Sequence, residues 1–372
     1  MTDTTAQSYA PGTHPDLPPP MLASGPLFWL KKNLFSGWYN ILLTFLGVWF
    51  LWTVIPPAYH WLVSGAVFEA DSRQACQQLG DGACWAFITE RFQLFLYGFY
   101  PEASRWRVNL SFVLLFVALA PLLFDHVPHR GKALIFSIAY PFIAGWLLLG
   151  GLGLEPVATD KFGGMMLNVV VGITGIVISL PLGILLALGR QSQMPVVRVL
   201  CVAFIEFIRG VPLITLLFVA STLLSYFLPP GTSFDLLLRV LIMVTLFSAA
   251  YLAEVIRGGL QAIPRGQYEA ADSIGLKYWG SMRLIVLPQA LKISIPGIVN
   301  TFIGLFKDTT LVIVIGLLDI LGMGRASLAD AKWTGLSNEV YISIAVFFFI
   351  CCFGMSRYSL YLERKLETGH RT

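Results

Sequence analysis

The sequence predicts an all-α integral membrane protein with eight transmembrane helices. Of its 372 residues 56% are hydrophobic and only 12% charged, about half the ~25% charge usual in soluble proteins. The apolar residues lie in long, almost uncharged blocks, and the basic residues cluster in alternate connections between those blocks. A net charge of +4, dispersed and without a basic stripe, excludes a nucleic-acid partner.

A bilayer core of ~30 Å needs about 20 apolar helical residues. Eight stretches qualify: Trp38–Trp61, Val108–Phe124, Ala133–Gly153, Met165–Gly189, Val199–Leu228, Leu236–Ile256, Ser294–Leu318 and Val340–Tyr361. Trp29, Trp38, Trp61, Trp106 and Tyr361 fall near their boundaries, as an interfacial aromatic belt requires. Met1–Pro20 is polar and proline-rich, has no apolar core, and reads as a disordered cytoplasmic leader. With the N-terminus inside, fifteen of the 25 Lys and Arg fall in inner segments and seven in outer ones; Arg209, Arg239 and Lys307 lie deeper. That imbalance places both termini in the cytoplasm.

Two loops are long. Residues 62–107 lie outside and carry Cys76 and Cys84, which on an oxidising face either pair or stay as two free thiols. Cys201, Cys351 and Cys352 read as small apolar fillers within spans. Within the same outer loop, Trp85–Tyr100 is expected along the interface. The inner loop, 257–292, is broken by Pro264 and Gly266, then runs as a helix over Gln267–Ile274 to Gly275. A second short helix, Tyr278–Val286, leads to Pro288. Tyr278, Trp279 and Met282 are too apolar to be left in water, so this hairpin is expected to dock on another protein.

Charges inside the membrane cost at least ~2.5–3.5 kcal/mol at the bilayer centre and usually face a bundle interior or water. Glu206-Phe207-Ile208-Arg209-Gly210 and Glu254-Val255-Ile256-Arg257-Gly258 share one form, 48 residues apart, and at i,i+3 each carboxylate can meet its arginine. Lys307, Asp308, Thr309 and Thr310 interrupt the seventh span and predict locally unwound backbone beside a cavity. Structural pairing is favoured for the two Glu–Arg pairs. The sharper expectation is an amphiphilic path lined by Glu206, Arg209, Glu254, Arg257, Lys307, Asp308 and Thr309, with Asp308 and Thr309 the leading candidates. Pro212 is expected to kink the fifth span and Pro181 the fourth, while Asp319 reads as a solvated boundary group.

The order Glu269-Ala270-Ala271, three residues, Gly275, nine residues, Ile285, one residue, Leu287-Pro288 resembles the EAA loop of ABC-importer permeases. With Glu206–Leu213, Ala250–Gly259 and Lys307–Leu311, residues 163–361 are similar to the polar-amino-acid (histidine/glutamine-type) branch of that family. The three preceding spans look like the M-type permeases of broad-specificity L-amino-acid importers in Gram-negative bacteria. Lys277 stands where a small hydroxyl residue is usual, and Gly280 where Gln is usual; both bear on the cap of the second loop helix and one ATPase contact.

The resemblance implies a cytoplasmic tail at 1–37, a three-helix extension at 38–162, a type I ABC-importer permease core at 163–361 and a tail at 362–372. Glu269 would anchor the coupling helix, Ala270 and Ala271 would allow close approach, and Gly275 would make the bend. It further implies a bacterial inner-membrane protein importing L-amino acids with two ATP-binding subunits, a second related permease and a periplasmic amino-acid-binding protein. ATP and Mg would sit on the partner ATPase and no cofactor on this chain. An ion-gradient-driven secondary transporter is the alternative.

No phosphate-binding loop is present, since Gly131-Lys132 lacks the upstream glycine. His126 and His129 lack the companions of a metal site. Gly354-Met355-Ser356 lacks a histidine in a later span, so catalysis in this chain is not expected.

Overall fold

The computed structural model describes residues 25–223, 226, 229 and 234–366. The leader at 1–20, most of the outer end of the fifth span and the tail beyond 366 lie outside the described residues. Among the described residues there is no β-strand, and seven helices are long and apolar enough to cross a membrane, or eight if one bent pair counts as a span.

The chain forms two compact units, residues 1–67 with 78–83 and residues 68–77 with 84–372. The first holds α1 (Pro26–Leu34) and α2 (Trp38–Tyr59). α2 buries none of its residues, which suits a helix solvated by lipid. Pro56 and Pro57 remove two donors near its end, where the backbone widens into the turn His60–Ser64. That turn closes through Gly65 N–H to the His60 carbonyl at 2.8 Å.

The second unit opens with α3 (Arg73–Leu79), which runs on past residue 77, and α4 (Ala86–Tyr97). Cys76 and Cys84 are joined as a disulfide, both buried, with Cα atoms 5.8 Å apart. Around it this loop grips the turn at 328–336. The Arg73 N–H donates to the Lys332 carbonyl at 2.9 Å and its Nη1 to the Thr334 carbonyl at 2.6 Å. Arg91 pairs with Asp330, the Cys84 N–H donates to Glu339 at 3.1 Å, and fully buried Trp333 packs on Phe87.

α5 (Arg105–Leu123) and α6 (Arg130–Leu149) form a hairpin stitched by Ser137 donating to the Ala118 carbonyl at 2.7 Å. The core follows: α7 (Gly164–Arg190), α10 (Leu236–Gln261) and α13 (Leu287–Asp308) pack closely because small residues stand at their crossings. A Cβ on Gly183 would come within 2.7 Å of the Leu252 Cβ, and one on Gly175 within 3.1 Å of Leu305.

The fifth span is not one helix. α8 (Pro195–Gly210) and α9 (Leu213–Thr222) meet at 100°. Pro212 offers no N–H and drives Val211 into extended backbone, so a break replaces the expected kink. Pro181, by contrast, sits inside a continuous α7. After α13 the chain tightens into a 3₁₀ turn, Thr309–Ile315, rather than unwinding. α14 (Ile320–Ser327) and α15 (Ser337–Leu366) complete the fold.

Candidate functional site

The inner loop folds into a protruding hairpin. α11 (Arg265–Ser273) starts after Pro264 and ends at Gly275, whose φ of +76° is the left-handed conformation that lets the chain turn back. The Leu276 N–H closes the turn onto the Ala271 carbonyl at 3.1 Å. α12 (Tyr278–Ser281) begins at Lys277 without a side-chain cap, as the replaced hydroxyl foretold, and a wide turn at Met282–Val286 leads into α13. The expected second helix, Tyr278–Val286, is helical throughout, wider over its last five residues, and runs without a break into α13.

The hairpin has two faces. Met282, Val286 and Ile263 are buried in one cluster with residues of α10 and α13, Ala271 is buried within the hairpin, and Ile285 and Leu287 are half-buried. Met282 thus belongs to the packing face and not to the exposed patch expected of it. Burial raises the Tyr268 phenol above its ordinary pKa. Gln289 donates to Gln267 at 3.0 Å, tying α11 to α13. Glu269, Ala270, Ile274, Tyr278 and Trp279 stay exposed, as does Pro288 in the first turn of α13. Nothing among the described residues covers that apolar face.

Above the hairpin five charges from α7, α8 and α10 interlock. Arg190 donates to Glu206 at 2.7 Å and reaches Glu254 at 2.9 Å. Arg257 takes Glu254 at 2.8 and 3.1 Å from the next turn of α10, while Arg209 stands 3.6 Å from the same carboxylate and lies over the Tyr251 ring. Glu254, with a side chain 15% exposed, is the hub. The second Glu-x-Ile-Arg pair therefore closes as expected, but Glu206 and Arg209 do not meet each other. Arg190, which the sequence reading did not single out, takes Glu206, and Arg209 turns to Glu254. Its position as the last residue of a long apolar helix was the available signal.

Between α10 and α13 lies a cavity of about 290 Å³ lined by Phe247, Ser248, Tyr251, Asn300, Thr301, Gly304, Leu305 and Asp308. Asp308 makes no ion pair among the described residues, and the buried Ser248 hydroxyl has no hydrogen-bond partner there. Lys307 is exposed and does not line it. Thr309, expected on the path, is fully buried: it accepts from Asn168 at 2.8 Å and donates to the Phe306 carbonyl at 2.7 Å. Asn168 also donates to Asp319 at 3.1 Å and accepts from the Ile320 N–H at 3.0 Å. Asp319 is accordingly not a solvated boundary group. It is 0% exposed and caps α14 by accepting from the Gly322 N–H at 2.9 Å. The Asn168 node thus holds the turn directly after Asp308.

Comparison with known proteins converges on one family. The profile described as "Binding-protein-dependent transport system inner membrane component" matches residues 179–368. The chain is 49% identical over 359 residues to the inner membrane amino-acid ABC transporter permease protein YhdY of Escherichia coli K12, covering 96% of this chain and 97% of that one. It is 48% identical to the glutamate/glutamine/aspartate/asparagine transport system permease protein BztC of Rhodobacter capsulatus, over 95% of this chain and 96% of the relative. A crystal structure of an amino acid ABC transporter with histidines matches 54% of this chain and 92% of its own, at 29% identity and a TM-score of 0.48. A profile spanning half the sequence and relatives aligned over nearly its whole length carry one conclusion: the chain belongs to the binding-protein-dependent transport system inner membrane components, as a permease subunit of an ABC importer.

Proposed function

We propose that this permease moves L-amino acids across a bacterial inner membrane, with both termini cytoplasmic. It would work with a second, related permease, two ATP-binding subunits and a periplasmic amino-acid-binding protein. The observation that carries this reading is the exposed Glu269–Trp279 face of the hairpin, an apolar and acidic surface with no occupant among the described residues. The two full-length relatives carry amino-acid transport in their names.

α10 is the mechanical link. It bears Ser248 and Tyr251 at the cavity, then Glu254 and Arg257, and ends at Gln261 just before the hairpin. Ten residues separate Tyr251 from Gln261, about 15 Å of helix. A push on the hairpin by a closing ATPase dimer would travel through the packed Ile263, Met282 and Val286 into α10 and reshape the cavity. Asp308 would take the substrate ammonium there, while the hydroxyls of Ser248 and Thr301 and the amide of Asn300 meet its remaining polar groups.

The test is uptake of labelled L-amino acids into proteoliposomes holding the whole complex, binding protein and internal ATP. Uptake that survives ATP removal and collapses with the proton gradient overturns the reading in favour of a secondary transporter. Asp308→Asn is expected to raise the half-saturating substrate concentration about 10- to 150-fold, from the ~1.5–3 kcal/mol of a charge-assisted hydrogen bond. ATPase co-purification should be unchanged in that variant. Loss of assembly together with uptake would make Asp308 structural.

A further inference from the structure

A second charged surface lies at the hairpin end of the helices, apart from the Arg190 network. The turn between α5 and α6 meets the last turns of α15 there. Tyr358 donates to the Leu123 carbonyl at 2.8 Å, and Asp125 pairs with Arg130 at 2.6 Å and also with Lys365. Arg130 is anchored further by its Nε donating to the Pro121 carbonyl at 3.0 Å. Segments 235 residues apart are thereby fixed as one corner.

Asp125 is matched by two cations, and Glu363 accepts a hydrogen bond from Ser359 at 3.1 Å. Lys132, Arg357 and Arg364 are exposed and have no ion pair among the described residues. Arg357, Tyr361 and Arg364 follow at four- and three-residue spacing, which sets them on one face of α15. One turn further into the membrane-spanning parts, Ile135 on α6 and Phe353 on α15 are exposed, and Phe124 is exposed at the end of α5.

We infer that this corner binds the head group of an anionic phospholipid. Its cations outnumber its carboxylates at the level where helices leave the bilayer, and a phosphodiester offers the oxygens that two forked guanidinium groups recognise. The apolar shelf of Phe124, Ile135 and Phe353 suits acyl chains below such a head group, whereas a soluble anion would have no use for it. Asp125 holds Arg130 and Lys365 together and so ties the α5–α6 turn to the end of α15, beside which Arg357 and Arg364 stand. A lipid seated here would staple the α5–α6 hairpin to α15.

The experiment places the whole transporter in nanodiscs of phosphatidylcholine, alone or mixed with phosphatidylglycerol, and compares immobilisation of spin-labelled forms of the two lipids. The phosphatidylglycerol label is expected to associate several-fold more strongly. Arg357→Gln and Arg364→Gln should each lower that preference roughly fivefold, about the worth of one cation near an anionic surface. For the unmutated transporter, about 1 M salt shortens the screening length to ~3 Å and should abolish it. Equal immobilisation of both labels by the unmutated protein overturns the inference. So does displacement of the phosphatidylglycerol label by millimolar inorganic phosphate, which would mark a soluble-anion site. A double variant that loses its ATPase subunits but keeps its lipid preference also overturns it, because the corner would then be a protein-docking surface.

Discussion

Arg190→Ala tests the interlocked charges most directly. Arg190 serves two carboxylates, Glu206 at 2.7 Å and Glu254 at 2.9 Å, and they differ in exposure. The Glu206 side chain is 54% exposed, so its share is bounded at about 0–1 kcal/mol by screening and side-chain entropy. Glu254 is mostly shielded, and its charge-assisted bond to Arg190 is worth about 1.5–3 kcal/mol. The ~3–5 kcal/mol of a fully orphaned buried charge is not reached, because Arg257 keeps a two-point contact and Arg209 stays within 3.6 Å. The substitution should therefore cost about 2–3 kcal/mol in all.

The assay is reversible unfolding in mixed micelles, run as a double-mutant cycle with Glu254→Gln. The two losses should be non-additive by about 1–2 kcal/mol, as expected of residues in one network. A loss below about 0.5 kcal/mol, or strict additivity, would refute the idea that Arg190 is the residue joining α7 to α10.

Three further outcomes follow from the hairpin and the Asn168 node. Gly275→Val should cost about 1–2 kcal/mol through its left-handed backbone alone, since no atom lies within 4 Å of an added Cβ; Gly275→Asn should be nearly silent in thermal unfolding. Glu269→Arg should leave unfolding unchanged within about 0.5 kcal/mol, because the residue is exposed, yet abolish co-purification of the ATPase subunit. Asn168→Leu keeps the volume but strands the Ile320 N–H and takes a donor from Thr309 and from buried Asp319, each of which keeps one other hydrogen bond, so a loss of about 3–5 kcal/mol is expected, read as protease sensitivity in membranes.

The membrane spans and the hairpin were legible because their signals are local. Apolar blocks declare spans by length, and Pro264, Gly266 and Gly275 mark the turns at which the chain departs from helix. Partner choice was not local. Glu206–Arg209 has the same spacing as Glu254–Arg257, but Arg190 arrives from another helix and takes Glu206, and the break at Val211–Pro212 follows at once on Arg209. Asp319 stands at the edge of an apolar block, where a carboxylate ordinarily meets water. It is buried because Asn168, 151 residues earlier, supplies a donor. The same amide drew Thr309 away from the cavity and into the protein, leaving Asp308 as the cavity's charged group. Met282, at the start of the wide turn Met282–Val286, is buried with Val286 and residues of α10 and α13, a packing partner that its apolar character alone did not name.

The grip of the outer loop on residues 328–336 bears on how far the protein can be shortened. A chain trimmed to start at α7 would match the size of its smaller relatives, which align to about half of this sequence. Such a fragment would leave the Trp333 indole facing water without Phe87, and Glu339 without the Cys84 amide it now accepts from. Minimal versions will need replacements at those two positions, a polar residue for the indole and a neutral one for the carboxylate, before they are soluble in detergent as single species.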